Sequence, residues 1–116
     1  MFINLTNHPS ENWSEEQLSA ARQYGEVVDM PFPAIDPHIT KEDILKYVCV
    51  YMQMIEDIRE AEMVVHIMGE MTFTHNMVNA LKAAGITCLA STTERNMVMM
   101  DGKKVSEFTF VQFREY

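Results

Sequence analysis

Met63-Val64-Val65-His66-Ile67-Met68-Gly69 is an almost unbroken apolar run closed by a glycine. Such a run suits a strand covered on both faces, the condition of a parallel sheet flanked by helices. Downstream, Met77, Val78, Leu81 and Ala84 recur at helical intervals in a segment over residues 73–84 that Gly85 stops, and Ile86-Thr87-Cys88-Leu89-Ala90 reads as a further strand. Upstream, Ile44, Leu45, Val48, Tyr51, Met52, Ile55 and Ile58 mark the apolar face of a long helix that Thr40 and Asp43 begin. Helix, strand, helix and strand in this order make the protein α/β.

The same alternation extends to both ends. Residues 26–29 form a short β-branched strand that meets Pro31-Phe32-Pro33, where neither regular element can continue. Before it, Ser14 and Gln17 cap a helix over residues 15–24, and Gly25 ends it. Residues 1–6 are a first strand that stops at Asn7-His8-Pro9-Ser10, with its turn-forming residues. At the other end, residues 96–100 and 105–113 flank Asp101-Gly102, a strong hairpin signal. The order β-α-β-α-β-α-β plus a C-terminal antiparallel hairpin predicts a Rossmann-like three-layer sandwich with a mainly parallel sheet, one domain over residues 1–116.

Composition narrows the function. A formal net charge of −8 argues against the broad basic face that duplex nucleic acid demands, while leaving room for a small anion held by a few local donors. No apolar run approaches membrane-span length, so no membrane partner is expected. Cys49 and Cys88 lack CxxC spacing, and the N-terminus lacks the basic and apolar regions of a leader, which predicts a cytoplasmic protein. No histidine pair has the i, i+4 spacing of a helical metal site and no HExxH occurs, so no metal is expected. GxGxxG, GxxxxGK[ST] and GxSxG are all missing, which disfavours a dinucleotide dehydrogenase, a P-loop NTPase or an α/β-hydrolase; no cofactor is expected.

In an open α/β sheet, ligands sit beyond the carboxyl ends of the strands, where loops separate and helix N-termini supply amide donors. Three segments meet that description: Asn7 through Ser14, Gly69 through His75, and a third loop, Ser91-Thr92-Thr93-Glu94-Arg95. They offer Asn7, Trp13, Gly69, Glu70, Thr72, Thr74, Ser91, Thr92 and Thr93 as ligand-binding candidates, equipment suited to phosphates and stacked bases. His8, a loop histidine after the first strand, faces the crevice, and Arg95 is the candidate phosphate contact because the crevice is otherwise poor in positive charge. Each also has a plain structural reading: Asn7 and Ser10 as turn formers, Trp13 as a lid on the core, Ser14 as a cap, Glu70 as a solvated carboxylate. His66 reads as a satisfied core or interface residue, His38 as solvated, and His75 as a minor site candidate. The 11 methionines suit adaptable packing or an interface. In the last strand, alternation puts Phe108 and Phe110 on one face and Thr109, Val111 and Phe113 on the other; burial of both faces predicts a self-complementary dimer.

Ile3-Asn4-Leu5-Thr6-Asn7-His8, Trp13-Ser14 with Gln17, and the ending Phe110-Val111-Gln112-Phe113-Arg114 resemble the small stand-alone CARF-like proteins of type III CRISPR loci, several of which are ring nucleases. The resemblance spans the length and element order of the chain. It implies a homodimer that binds a cyclic oligoadenylate, cyclic tetra-adenylate foremost, across its two-fold axis and cleaves it without a metal by attack of a 2′-hydroxyl, switching off the signal. Asn7, His8 and Ser10, Gly69 through Thr74, and Ser91 through Arg95 are the positions that correspond, and the resemblance implies that His8 shuttles a proton, Arg95 neutralises the phosphate and Ser10 or Thr92 donates to its oxygens. A binding module without catalysis and an interaction protein without a small ligand stay open beside it.

Overall fold

In the computed structural model, which describes residues 1–116, the chain runs as β1 (Phe2–Leu5), a 3-10 turn (Ser10–Asn12), α1 (Glu15–Arg22), β2 (Val27–Asp29), α2 (Lys41–Asp57), β3 (Val64–Ile67), α3 (Met71–Ala83), β4 (Thr87–Met100) and β5 (Lys103–Glu115). The strands form one sheet in the order β2-β1-β3-β4-β5; β1 to β4 are parallel and β5 runs against β4. This is an α/β architecture with a mixed sheet, compatible with Rossmann-like layering.

Local chemistry starts each helix. Ser14 Oγ accepts from the Gln17 amide, and Thr40 forms a full capping box with Asp43. α3 begins two residues ahead of the expected start, because the Glu70 carboxylate accepts from the amides of Thr72 and Phe73. Side-chain alternation along the strands then sorts the core. Ile3, Leu5, Val65, Ile67 and Cys88 face α2 and α3, meeting Val48, Ile55, Phe73, Met77 and Leu81. Phe2, Val64 and Leu89 face the other way, toward Ala21 of α1. Burying side chains of this size stabilises the fold by about 1.5–3 kcal/mol each, and it fixes a sheet with helices on both faces.

Two expectations at the C-terminal end are corrected. Residues 91–95 are no loop: β4 is one unbroken strand from Thr87 to Met100. Their β-branched and small hydroxyl residues fit a pleated ladder, and β5 supplies the partner. The face assignment fails as well. A register shift at Thr92/Thr93 pairs Thr92 with Gln112 and Thr93 with Phe110, leaving Val111 unmatched. That bulge turns Phe113 onto the same face as Phe110, with ring centroids 4.9 Å apart.

β3 pairs with β4 only through Leu89, so from Ala90 onward β5 is the sole neighbour of β4. The pair continues as a two-stranded arm closed by Asp101-Gly102, both at positive φ as a tight two-residue hairpin turn requires. Met97, Met99, Met100 and Phe108 on this arm are each more than half exposed. No helix of the chain is long and apolar enough to cross a membrane.

Candidate functional site

β1 and β3 are neighbours, yet the chain proceeds from β1 outward to β2 and from β3 outward to β4, so the strand order reverses between them. Their carboxyl ends open into a cavity of about 1140 Å³. Its wall combines Thr6, Asn7 and His8 after β1, Trp13, Ser14 and Gln17 at the start of α1, His66, Met68 and Gly69 from β3, Ser91 and Thr93 from β4, and Phe108 and Phe110 from β5.

A buried polar hub holds the β1 side together. Asn4, 1 % exposed, donates through Nδ2 to the His8 carbonyl (2.9 Å) and to Asp29 Oδ1 (2.8 Å). Its Oδ1 accepts from Thr6 Oγ1 (2.9 Å) and faces His66 Nδ1 at 3.1 Å. Both partners of Nδ2 are pure acceptors, which fixes the amide orientation and requires the His66 proton to sit on Nδ1. The His8 carbonyl also takes the Trp13 indole N–H (3.1 Å), so the turn is clamped while the exposed His8 imidazole stays free in the cavity. Asn4 escaped sequence reasoning, although a polar residue inside a four-residue apolar strand was the available signal.

His66 lies in the core as expected but is only half satisfied. It is 2 % exposed, and Nδ1 is satisfied by Asn4, but Nε2 has no hydrogen-bond partner. Burial, with the nearby His8 as the second cause, pushes its pKa down to about 4, so the ring is neutral at pH 7. The rings of Phe2, Trp13 and Phe113 surround it at centroid distances of 5.8, 5.5 and 5.1 Å. Trp13 therefore packs on the core and also borders the cavity.

The structure brings Asn7, His8, Trp13, Gly69, Ser91 and Thr93 into one cavity wall and leaves the other candidates out of it. Ser10 turns toward β2, where its Oγ donates to Asp29 Oδ2 (2.9 Å) and its amide to both carboxylate oxygens. Thr92 Oγ1 donates to the Gln112 carbonyl across the ladder. Arg95 is carried out along the arm, with Nε bonded to Ser106 Oγ at 3.1 Å. Glu70 and Thr72 line a separate hollow of about 460 Å³ beside Lys41 and Asn76. The amide of Phe73 and then the hydroxyl of Thr72 hold the Glu70 carboxyl below its ordinary range, which makes it a helix cap and a poor proton acceptor. Thr74 borders a third hollow, of about 320 Å³, next to His75, and its buried hydroxyl has no partner. His38 is exposed and bonds Asp36, as its loop position suggested. No group of three or more His, Cys, Asp or Glu residues is arranged to hold a metal ion.

The wall has a distinct chemistry. Amides, hydroxyls, two imidazoles and aromatic faces suit neutral, flat, hydrogen-bonding groups. Glu16 is its one charged side chain, and neither Lys nor Arg contributes. The sequence profile of a family described as "Uncharacterized protein MJ1673 family" matches residues 1–114, and the chain belongs to that family. No curated protein and no solved structure matches it.

Proposed function

We propose that this member of the MJ1673 family is a cytoplasmic, CARF-like ring nuclease that binds a cyclic oligoadenylate, cyclic tetra-adenylate first among them, at a homodimer interface and opens it without a metal. The observation that carries this reading is the cavity at the strand-order reversal, with the free His8 imidazole in a wall of base-compatible aromatic and polar groups. The exposed apolar arm supports a second copy, because a two-stranded ribbon with Met97, Met99 and Phe108 bare is marginal in water alone.

In the reaction, a ribose 2′-oxygen attacks the adjacent phosphorus and the P–O5′ bond breaks. The 2′-hydroxyl proton leaves through His8 and the 5′-oxygen gains a proton. The products are a 2′,3′-cyclic phosphate and a 5′-hydroxyl, with no water consumed. Asn7, Ser91 and Thr93 would orient the nucleotide, and most of the rate comes from holding the attacking oxygen in line. Charge on the phosphorane needs a cation that the wall of one chain lacks. Arg95 on the arm is the residue to supply it when two copies associate. The same lack of a cation favours a second reading, capture of the ring without cleavage.

The test mixes protein with cyclic tri-, tetra- and hexa-adenylate in excess EDTA and follows products by chromatography and mass spectrometry. Linear products ending in 2′,3′-cyclic phosphate, formed about 10²–10⁴-fold more slowly by His8→Ala, support the nuclease. Intact ring that co-elutes with protein supports capture. Neither binding nor turnover refutes both.

A further inference from the structure

We propose that His66 reads the ligand's base, accepting through Nε2 a hydrogen bond from an exocyclic amine and rejecting a carbonyl at the same place. This deepens the cyclic-nucleotide reading and rests on it. With the Asn4 amide nitrogen committed to the His8 carbonyl and Asp29, the Asn4 oxygen is what His66 Nδ1 meets, so Nδ1 carries the proton and Nε2 carries a bare lone pair. That lone pair is buried and unpaired, although His66 belongs to the cavity wall. An orphaned buried acceptor is uncommon in native interiors and costs stability when nothing fills it. Burial also keeps the ring neutral, so Nε2 cannot become a donor near neutral pH.

The surroundings select the partner. Trp13 stands nearly perpendicular to His66 in the same wall, with Phe113 beside both. Aromatic faces of this kind suit a flat heterocycle and give a sugar or phosphate little to bond. Nε2 is buried among these rings, so a base that enters the cavity must displace part of that aromatic cover to bring its own edge to the lone pair. An amine there completes the bond. A carbonyl there sets two acceptors against each other at a buried nitrogen, as hypoxanthine, guanine or uracil would at the matching position.

The test measures affinity of wild-type protein for cyclic tetra-adenylate and for the ring in which inosine replaces adenosine, so that a carbonyl stands where the amine was. We expect at least about tenfold weaker binding of the inosine ring. His66→Asn keeps a donor for Asn4 but removes the acceptor, and binds both rings alike and weakly. His66→Gln presents either an oxygen or an N–H at that point and loses the preference while retaining affinity. A readout free of substitution is the ¹⁵N spectrum of the wild-type imidazole: Nε2 unprotonated without ligand, and shifted on adding the adenosine ring. Equal binding of the two rings by wild type, or a proton found on Nε2, overturns the role of His66 and leaves the cyclic-nucleotide reading standing. Wild-type protein that binds neither of these rings, nor cyclic tri- or hexa-adenylate, overturns that reading itself.

Discussion

Acid should weaken this fold through one residue before the carboxylates respond. His66 holds its pKa at about 4 in the folded chain, against an ordinary 6.5, because burial and then His8 disfavour its charged form. The folded value lies below the unfolded one, so the stability tied to the neutral ring is complete above about pH 6.5 and is lost as pH falls toward 4. Between those values the unfolded chain binds a proton that the folded chain refuses. At about 1.4 kcal/mol per unit the full loss is about 3 kcal/mol, of which about 2 kcal/mol has gone by pH 5. The assay is urea unfolding from pH 7 to pH 5 at fixed protein concentration, followed by fluorescence of Trp13. This is the only tryptophan, and its ring lies 5.5 Å from His66. His66→Asn removes the titrating group and should flatten that part of the slope, whatever its effect on absolute stability. If wild type and variant lose stability in parallel to within about 0.5 kcal/mol, His66 titrates in the folded state as it does in the unfolded one, and the buried neutral ring is refuted.

Other outcomes follow from particular contacts. Thr74→Val deletes a buried hydroxyl that has no partner and should be neutral or stabilising by up to about 1 kcal/mol in thermal unfolding; a loss of that size would mean that the hydroxyl is bonded after all. Because Thr74 lies outside the main cavity, the same variant should leave cyclic-nucleotide binding unchanged. Phe108→Asp, on a side chain 66 % exposed, should alter the stability of a single chain by less than about 0.5 kcal/mol while converting dimer to monomer in sedimentation velocity. A dimer that survives it does not use this face of the arm.

The sequence carries some of this plainly. Ser14, Thr40 with Asp43, and Asp101-Gly102 act on backbone groups a few residues away, so their motifs mark two helix starts and the hairpin turn without reference to the rest of the chain. The continuity of β4 was harder to see, because Ser91-Thr92-Thr93-Glu94-Arg95 is polar on both faces and acquires a strand's reason only from β5. The bulge at Thr92/Thr93 belongs to the pairing of two strands, and neither strand's own alternation reveals it. The polar hub joins Asn4 to Asp29, 25 residues away, and to His66, 62 residues away. No local pattern links such positions, and His66 sits in a strand where an unbonded nitrogen looks like any other core atom. Ser10 and Arg95 had the right chemistry for a phosphate site, but Asp29 and the length of β4 take them elsewhere.

The sheet's two borders are unequal. β2 closes one with three residues, too short to template another strand, whereas β5 leaves thirteen along the other. Lys103, Lys104 and Glu107 flank one end of that border and Arg114 and Glu115 the other, so Phe108-Thr109-Phe110-Val111 between them is a stretch with no gatekeeping charge. Separation of copies along this edge then depends on mutual repulsion from the net charge of −8. Added salt shortens the reach of that repulsion to about 8–10 Å near physiological ionic strength. Ionic strength should therefore draw copies of this chain together, the reverse of its effect on complexes between oppositely charged partners.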